Sequence, residues 1–390
     1  MAKCKHHPLD VDVDEERLGF GVRVYGLLIG LAVITCAIAC LVSAYLIYKH
    51  VHNYTKPSQQ RQVIRILLMV PVYSVACVFS IIFYRQHVYI AAVYEFYESL
   101  VIAAFFLFLC QILHVDLVKL RADFAGIQPK PWIYPIRAVV FCCGNRKKGT
   151  LDGLKWFNII CVGVLQFCVI KFLGALVKCI TEAAGVYCKE SNSPSHARVW
   201  IMVIELISLV SAMMCLLQFY NEVHHQMRQH RPMLKFLAIK IVIAVFYIQS
   251  FIFSQLTKPG GPAQPTAYIS YPSWSVGIPN ALLCVEMAFA AIFHLYAFPY
   301  RPYREHVEPS SDEIVTTSER EGQFEDRLQD MSTQTLTSSF RSDDDGWSYE
   351  THQSAWGVMK EALGFRDILD GIGKAMYWFF VSRRQQVRRS

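Results

Sequence analysis

Apolar residues along this chain gather in seven long runs, at residues 22–48, 64–84, 89–113, 156–178, 199–220, 234–257 and 276–298. None alternates with the period of two that marks a half-buried strand, and each is too long for a sheet strand. A helix crosses a bilayer with about 20 mostly apolar residues. The pattern therefore predicts an all-α membrane protein built as a seven-transmembrane helix bundle. The first run starts at residue 22 and lacks a short apolar core followed by small residues, so it reads as a retained span and not a signal peptide.

Lys and Arg orient the spans. The loops at 49–61, 114–155 and 221–235 carry 14 of them, while the alternate loops carry 4, namely Arg85, Lys189, Arg198 and Lys258. Positive residues stay on the cytosolic side, which predicts an outside or lumenal N-terminus and a cytosolic C-terminus. The sequon Asn53-Tyr54-Thr55 then falls on the cytosolic side, where it would carry no glycan.

The remaining segments divide the chain. Residues 1–21 form a stub of mixed charge, 22–304 the membrane domain, and 305–353 an acid- and Ser/Thr-rich stretch that reads as disordered linker. Within 354–390, Trp356, Met359, Leu363, Ile368, Ile372, Met376 and Phe379 return at helical spacing. They predict an amphipathic helix that binds the membrane or a partner. It ends in Trp378-Phe379-Phe380 beside Arg383, Arg384, Arg388 and Arg389, a pairing suited to an anionic lipid surface.

Composition agrees. Hydrophobic residues are 54% of the chain and charged residues 18%, which excludes a disordered chain and argues against a soluble two-domain enzyme. The net charge of +7 acquires meaning once located. Residues 305–370 hold 16 acids against 5 bases, and the rest of the chain 33 bases against 15 acids. A basic membrane-side surface joined to an acidic tether suits anionic lipids and not nucleic acid.

Ionisable groups at membrane depth are costly and mark candidate functional sites. Here they are Arg65, Glu95, Glu98, Lys171, Lys178, Glu205, Lys240, Glu286 and His294, joined by Gln111, Gln166, Gln249 and Asn280. Glu95 and Glu98 share one helix face. That face fits a cation or a proton, and it equally fits neutralisation of Arg65, Lys171 or Lys240 on neighbouring helices. Lys178, near a span end, is expected to snorkel outward. Pro71 should kink the second span. Lysines among apolar walls suit an amphipathic organic anion or a lipid, so Glu95, Glu98, Gln166, Lys171, Lys240, Gln249, Asn280 and Glu286 form the candidate substrate-binding set.

No nucleotide, zinc-protease or nucleophile-elbow motif occurs, so the sequence reads as a non-enzyme without cofactor or metal. Cys142-Cys143 beside Asn145-Arg146-Lys147-Lys148 is a palmitoylation candidate. Cys179 and Cys188 bound an outside loop where a disulfide is feasible. In the tail, Phe365-Arg366-Asp367-Ile368 fits the aromatic-x-x-aliphatic pattern of ligands of ubiquitin-like autophagy proteins, and the same residues suit membrane packing or a partner groove.

Several strings mix charge, Pro and aromatics at fixed positions: Arg61-Gln62-Val63-Ile64-Arg65 through Pro71-Val72-Tyr73, Phe96-Tyr97-Glu98-Ser99-Leu100, Leu165-Gln166-Phe167 through Lys171, Arg231-Pro232-Met233-Leu234-Lys235 through Lys240, and Asn280-Ala281-Leu282-Leu283-Cys284-Val285-Glu286. In this order they closely resemble the family of organic solute transporter subunit alpha and transmembrane protein 184, over residues 22–304, with the look of a fungal-type member. One departure is Phe172 after Lys171, where many members have Pro. The resemblance implies seven spans and transport or binding of an amphipathic solute or lipid at an endomembrane, vacuolar or endosomal before plasma membrane. The partners expected are membrane lipids, a single-span subunit or a second copy, and, from the Phe365-Arg366-Asp367-Ile368 pattern of the tail that the resemblance does not cover, an autophagy-type protein. The alternative function is a vacuolar or endosomal scaffold that recruits such cytosolic partners.

Overall fold

The computed structural model describes residues 9, 12–19, 21–114, 117–126, 153–187, 195–227, 232–257, 261–304 and 355–378. Every regular element among the described residues is helical. In chain order these are α1 (Val24–His52), α2 (Pro57–Leu67), α3 (Met69–Ile82), α4 (His87–Leu113), α5 (Leu117–Ala125), α6 (Gly153–Ala183), α7 (Ala197–Met227), α8 (Pro232–Leu256), α9 (Ile278–Ala297), α10 (Ala355–Leu363) and α11 (Arg366–Tyr377). Cys142, Cys143, Cys188 and the acidic stretch 305–353 lie outside the described residues.

Among the described residues, six candidate membrane spans are long and apolar enough: α1, the α2–α3 pair, α4 with its leading turn, α6, α7, and α9 with its leading turn. The expected run at 234–257 is the 25-residue helix α8. The spans bury their surfaces very unequally. In the most apolar window of α4, 72% of residues are buried, against 17% for α1 and 28% for α7. Hence α4 is the central post, with α2, α3, α6 and α7 against it, while α1 and α9 close on α3. On α1, Leu27, Ile34, Leu41 and Tyr48 face outward and are 54–70% exposed. In water such a surface would aggregate, and in a bilayer it is the lipid-facing side.

Local chemistry sets the breaks. Pro71 has no N–H and its ring crowds the carbonyl four residues back, that of Leu67. The second span is interrupted there, α2 ending at Leu67 and α3 beginning at Met69. At the end of α6, Gly185 takes φ +67°. Its N–H reaches the Glu182 carbonyl at 2.9 Å and the Val186 N–H reaches that of Thr181 at 2.9 Å, the pair of bonds that closes a helix through a left-handed glycine. Between α6 and α7, any side chain at Gly163 would meet the Cys215 sulfur, and any at Gly174 would meet the Glu205 carboxylate. Small residues at both points let the two helices approach closely.

The tail forms two helices and not one, because Gly364 ends α10 by donating its N–H to the Lys360 carbonyl at 3.0 Å. The hairpin turns back on the bundle, α10 against α2 and α11 against α6 and α4.

A lysine–glutamate ladder beside a six-helix cavity

The central polar feature is a ladder across α4, α6 and α7. Glu95 on α4 receives the Lys178 ammonium at 2.5 Å and lies 3.6 Å from that of Lys171. Lys171 donates to Glu205 on α7 at 2.7 Å and lies 3.4 Å from the Tyr247 hydroxyl on α8. The Lys171 side chain is 2% exposed, so its charge is held by protein groups alone. The pairing follows from helix geometry. Lys171 and Lys178 are two turns apart on one face of α6, and Gly174, between them, leaves room for Glu205 to come in from α7. Two lysines and two glutamates make the ladder formally neutral.

Below the ladder lies a cavity of about 120 Å³ to which six helices each give a polar group: Ser80, Glu95, Lys178, Arg198, Gln249 and Asn280. They come from the ends of α3, α6 and α8 and the beginnings of α4, α7 and α9, so the cavity sits at one end of the bundle. Gln249 donates to the Pro279 carbonyl at 2.6 Å, Asn280 to the Val276 carbonyl at 2.8 Å, and Arg198 to the Ser254 hydroxyl at 3.2 Å. These bonds orient the amides and the guanidinium on the cavity wall.

The eight candidate substrate-binding residues therefore divide. Glu95, Gln249 and Asn280 line the cavity, and Lys171 stands one rung above it. Gln166 is taken up in a reciprocal pair with Ser208, donating to its carbonyl at 3.0 Å and accepting from its hydroxyl at 2.9 Å, a tie between α6 and α7. Glu98 is fully buried near the ladder with no hydrogen-bond partner on either oxygen among the described residues. Lys240 is within electrostatic reach of Glu98, and no ion pair joins it to Glu286 among the described residues. Glu286 lies away from the ladder, among the cysteines of α3 and α9. Lys178, whose side chain is only 8% exposed, does not snorkel; it anchors the ladder. Arg198 and Tyr247 also belong to the site. Arg198 falls in an outside loop by sequence and Tyr247 is one of several aromatics in its apolar run, so neither carries a signal.

The opposite end of the bundle holds a second polar centre. Arg65 on α2, 1% exposed, donates to the Ala362 carbonyl at 2.7 Å and to that of Gly364 at 2.5 Å. It also grips both oxygens of Asp367, at 2.8 and 2.7 Å. Gln62 donates to the same carboxylate at 2.7 Å and Arg61 pairs with Glu361 at 2.7 Å. Phe365 lies over the Arg65 guanidinium at 5.3 Å, and Ile368 is fully buried. The candidate partner-binding pair Phe365 and Ile368 thus packs inward on the bundle, and presenting it to an outside protein would require undocking α11. Burial raises the Asp367 carboxyl, but the bond and charge of Arg65, with help from Gln62 and Arg61, hold it below its ordinary value.

A third tie fastens the N-terminal segment. Glu15, 3% exposed, accepts from the Tyr25 N–H at 2.8 Å, from the Ser270 N–H and hydroxyl at 2.9 Å each, and from the Ser273 hydroxyl at 2.6 Å. Burial acts to raise its carboxyl, and these four bonds together bring it below the usual range.

Comparison with known proteins agrees with the fold. The family model described as organic solute transporter Ostalpha matches residues 28–303. The chain is similar to a protein from Arabidopsis thaliana named Protein LAZ1 homolog 1, at 26% identity over 279 residues, covering 68% of this chain and 56% of the plant protein. The chain thus spans little more than half the length of that relative. No solved structure matches.

Proposed function

Because the chain belongs to the organic solute transporter Ostalpha family, we propose that it binds and transports an amphipathic organic solute or lipid through the six-helix cavity and its ladder. The observation that carries this reading is the cavity wall. Lys178 and Arg198 supply positive charge, while Tyr94, Phe253 and Leu283 supply apolar surface for a solute body. An anionic head entering the cavity competes with Glu95 for Lys178. Glu95, once displaced, already has Lys171 at 3.6 Å as its next partner, so solute binding and rearrangement of α4 against α6 are the same event.

The cavity of about 120 Å³ is too small for a drug-sized molecule, which needs at least roughly 300 Å³. The conformation is therefore read as closed around the site. With α8 as a further span the bundle crosses the membrane seven times, the cavity end being lumenal or external and the Arg65 end cytosolic, in line with the Lys and Arg of the loops. A vacuolar or endosomal membrane is the proposed compartment, and a scaffold role through Phe365 and Ile368 would belong to the tail in a released state.

The test is uptake by proteoliposomes over a panel of anionic steroid conjugates and lipids. Uptake above that of protein-free vesicles is expected, falling at least tenfold in Lys178→Ala. Uptake at the protein-free level across the whole panel, from protein shown to be folded, would sink the proposal.

A further inference from the structure

Glu98 is the one acid of the ladder region that the ladder does not use. Its side chain is wholly buried on α4, one turn from Glu95, and neither carboxyl oxygen has a hydrogen-bond partner among the described residues. The charged and titratable groups around it come from every helix packed on that side. They are Glu95 on its own helix, Lys171 from α6, Glu205 from α7, Lys240 and Tyr247 from α8, and Tyr73 from α3. Lys171 is committed to Glu205 and Glu95. A carboxylate here would be a buried charge with no hydrogen-bond donor among the described residues, an arrangement proteins avoid by neutralising the group.

We propose that Glu98 is a proton-binding site, carrying a neutral carboxylic acid at neutral pH. When it ionises, the proton leaves to water and the carboxylate that remains has Lys240 as its available counter-cation, because that ammonium has no hydrogen-bond or ion-pair partner among the described residues. Protonation of Glu98 is then linked to the position of α8 against α4. It is linked also to the ladder, since Lys171 acts on both acids, and linkage of this kind is reciprocal. Proton binding at Glu98 does not require that the chain move a solute.

Infrared spectroscopy of the full chain in lipid nanodiscs tests it directly. At neutral pH the wild type should show the carbonyl stretch of a protonated carboxylic acid in an apolar site, shifted by deuterium exchange. Glu98→Gln should remove that band and leave thermal stability unchanged, because Gln nearly copies the neutral acid. Lys240→Met should move the band's titration to higher pH, since removing a cation disfavours the carboxylate. A band that survives in Glu98→Gln overturns the proposal. So does a Gln variant that is strongly destabilised, because a charge held in place would then have been lost.

Discussion

Removal of the Asp367 carboxylate should release the C-terminal hairpin from the bundle. In the docked state Arg65 is 1% exposed, and among the described residues Asp367 supplies the only full negative charge that touches it, on both carboxylate oxygens, at 2.7 and 2.8 Å. Removing one partner of a buried ion pair costs about 3–5 kcal/mol, most of it for the charge left behind. Two features reduce that figure here. The Asp367 side chain is 24% exposed, and Arg65 retains the carbonyls of Ala362 and Gly364 and the Gln62 side chain. About 2–3 kcal/mol is therefore expected for Asp367→Ala. At about 1.4 kcal/mol per factor of ten, the docked-to-undocked ratio falls on the order of 30- to 150-fold.

Amide hydrogen exchange of residues 355–377 in the full chain, in nanodiscs, reads this ratio directly. The Asp367→Ala variant should exchange faster across both α10 and α11, while α4 and α6 keep their protection. Arg65→Met should have a similar effect, and the double variant should lose less than the two single losses combined, as partners in one contact do. Exchange of the hairpin within twofold of wild type in Asp367→Ala would show that the Arg65–Asp367 contact does not hold it. The pH dependence has a definite sign. The folded Asp367 carboxyl lies below its ordinary value. Its contribution is fully present above the unfolded carboxylate range, about 3.9, and is lost only as pH falls through the lower folded value. Hairpin docking should therefore be flat across neutral pH.

Further outcomes follow from the other contacts. Gly174→Val should force Glu205 away from Lys171 and lower stability by about 1–3 kcal/mol through overpacking, visible as a lower melting temperature, whereas a neutral result would mean that α7 yields without cost. Glu15→Ala removes the acceptor of four bonds and should expose the segment before α1 to protease, by about 1–3 kcal/mol of local stability. Because the Glu15 carboxyl is held low, the wild-type tether should persist as pH drops through the mildly acidic range and open only below the usual carboxylate value, which limited proteolysis against pH would show. In a solute-binding assay, Lys178→Met should weaken an anionic ligand more than its uncharged analogue, and equal weakening of both would remove Lys178 from the head-group site.

How much of this could be read from the sequence depends on the range of the interaction. Helix positions were legible because about 20 apolar residues without period two leave little else for the chain to do. The interruption at Leu68 was also legible, because Pro71 acts on a carbonyl four residues away. That Glu95 and Lys171 need charged or polar partners was visible from their depth in the spans. Their partners were not. Glu95 is 83 positions from Lys178 and Arg65 is 302 from Asp367, and no local pattern encodes which face of α6 meets which face of α4. Lys178 illustrates the limit: near a helix end, a lysine that snorkels and one that turns inward to an acid look alike in sequence, and the choice was made by Glu95 on another helix.

The tail shows the same ambiguity in its sharpest form. An apolar residue at every third or fourth place serves a lipid surface, a partner's groove or the chain's own bundle equally well. Phe365 and Ile368 fitted all three. What separates them is chemistry outside the apolar stripe: a lipid surface would leave Asp367 repelled by anionic head groups, whereas Arg65 and Gln62 donate hydrogen bonds to that acid and the Arg61 guanidinium adds a positive charge 3.8 Å away. Arg65 in turn would be an uncompensated charge inside α2 without the tail. The two costs cancel only when the hairpin is docked. The groups that hold Arg65 on α2 are thus contributed from a segment some 300 positions away.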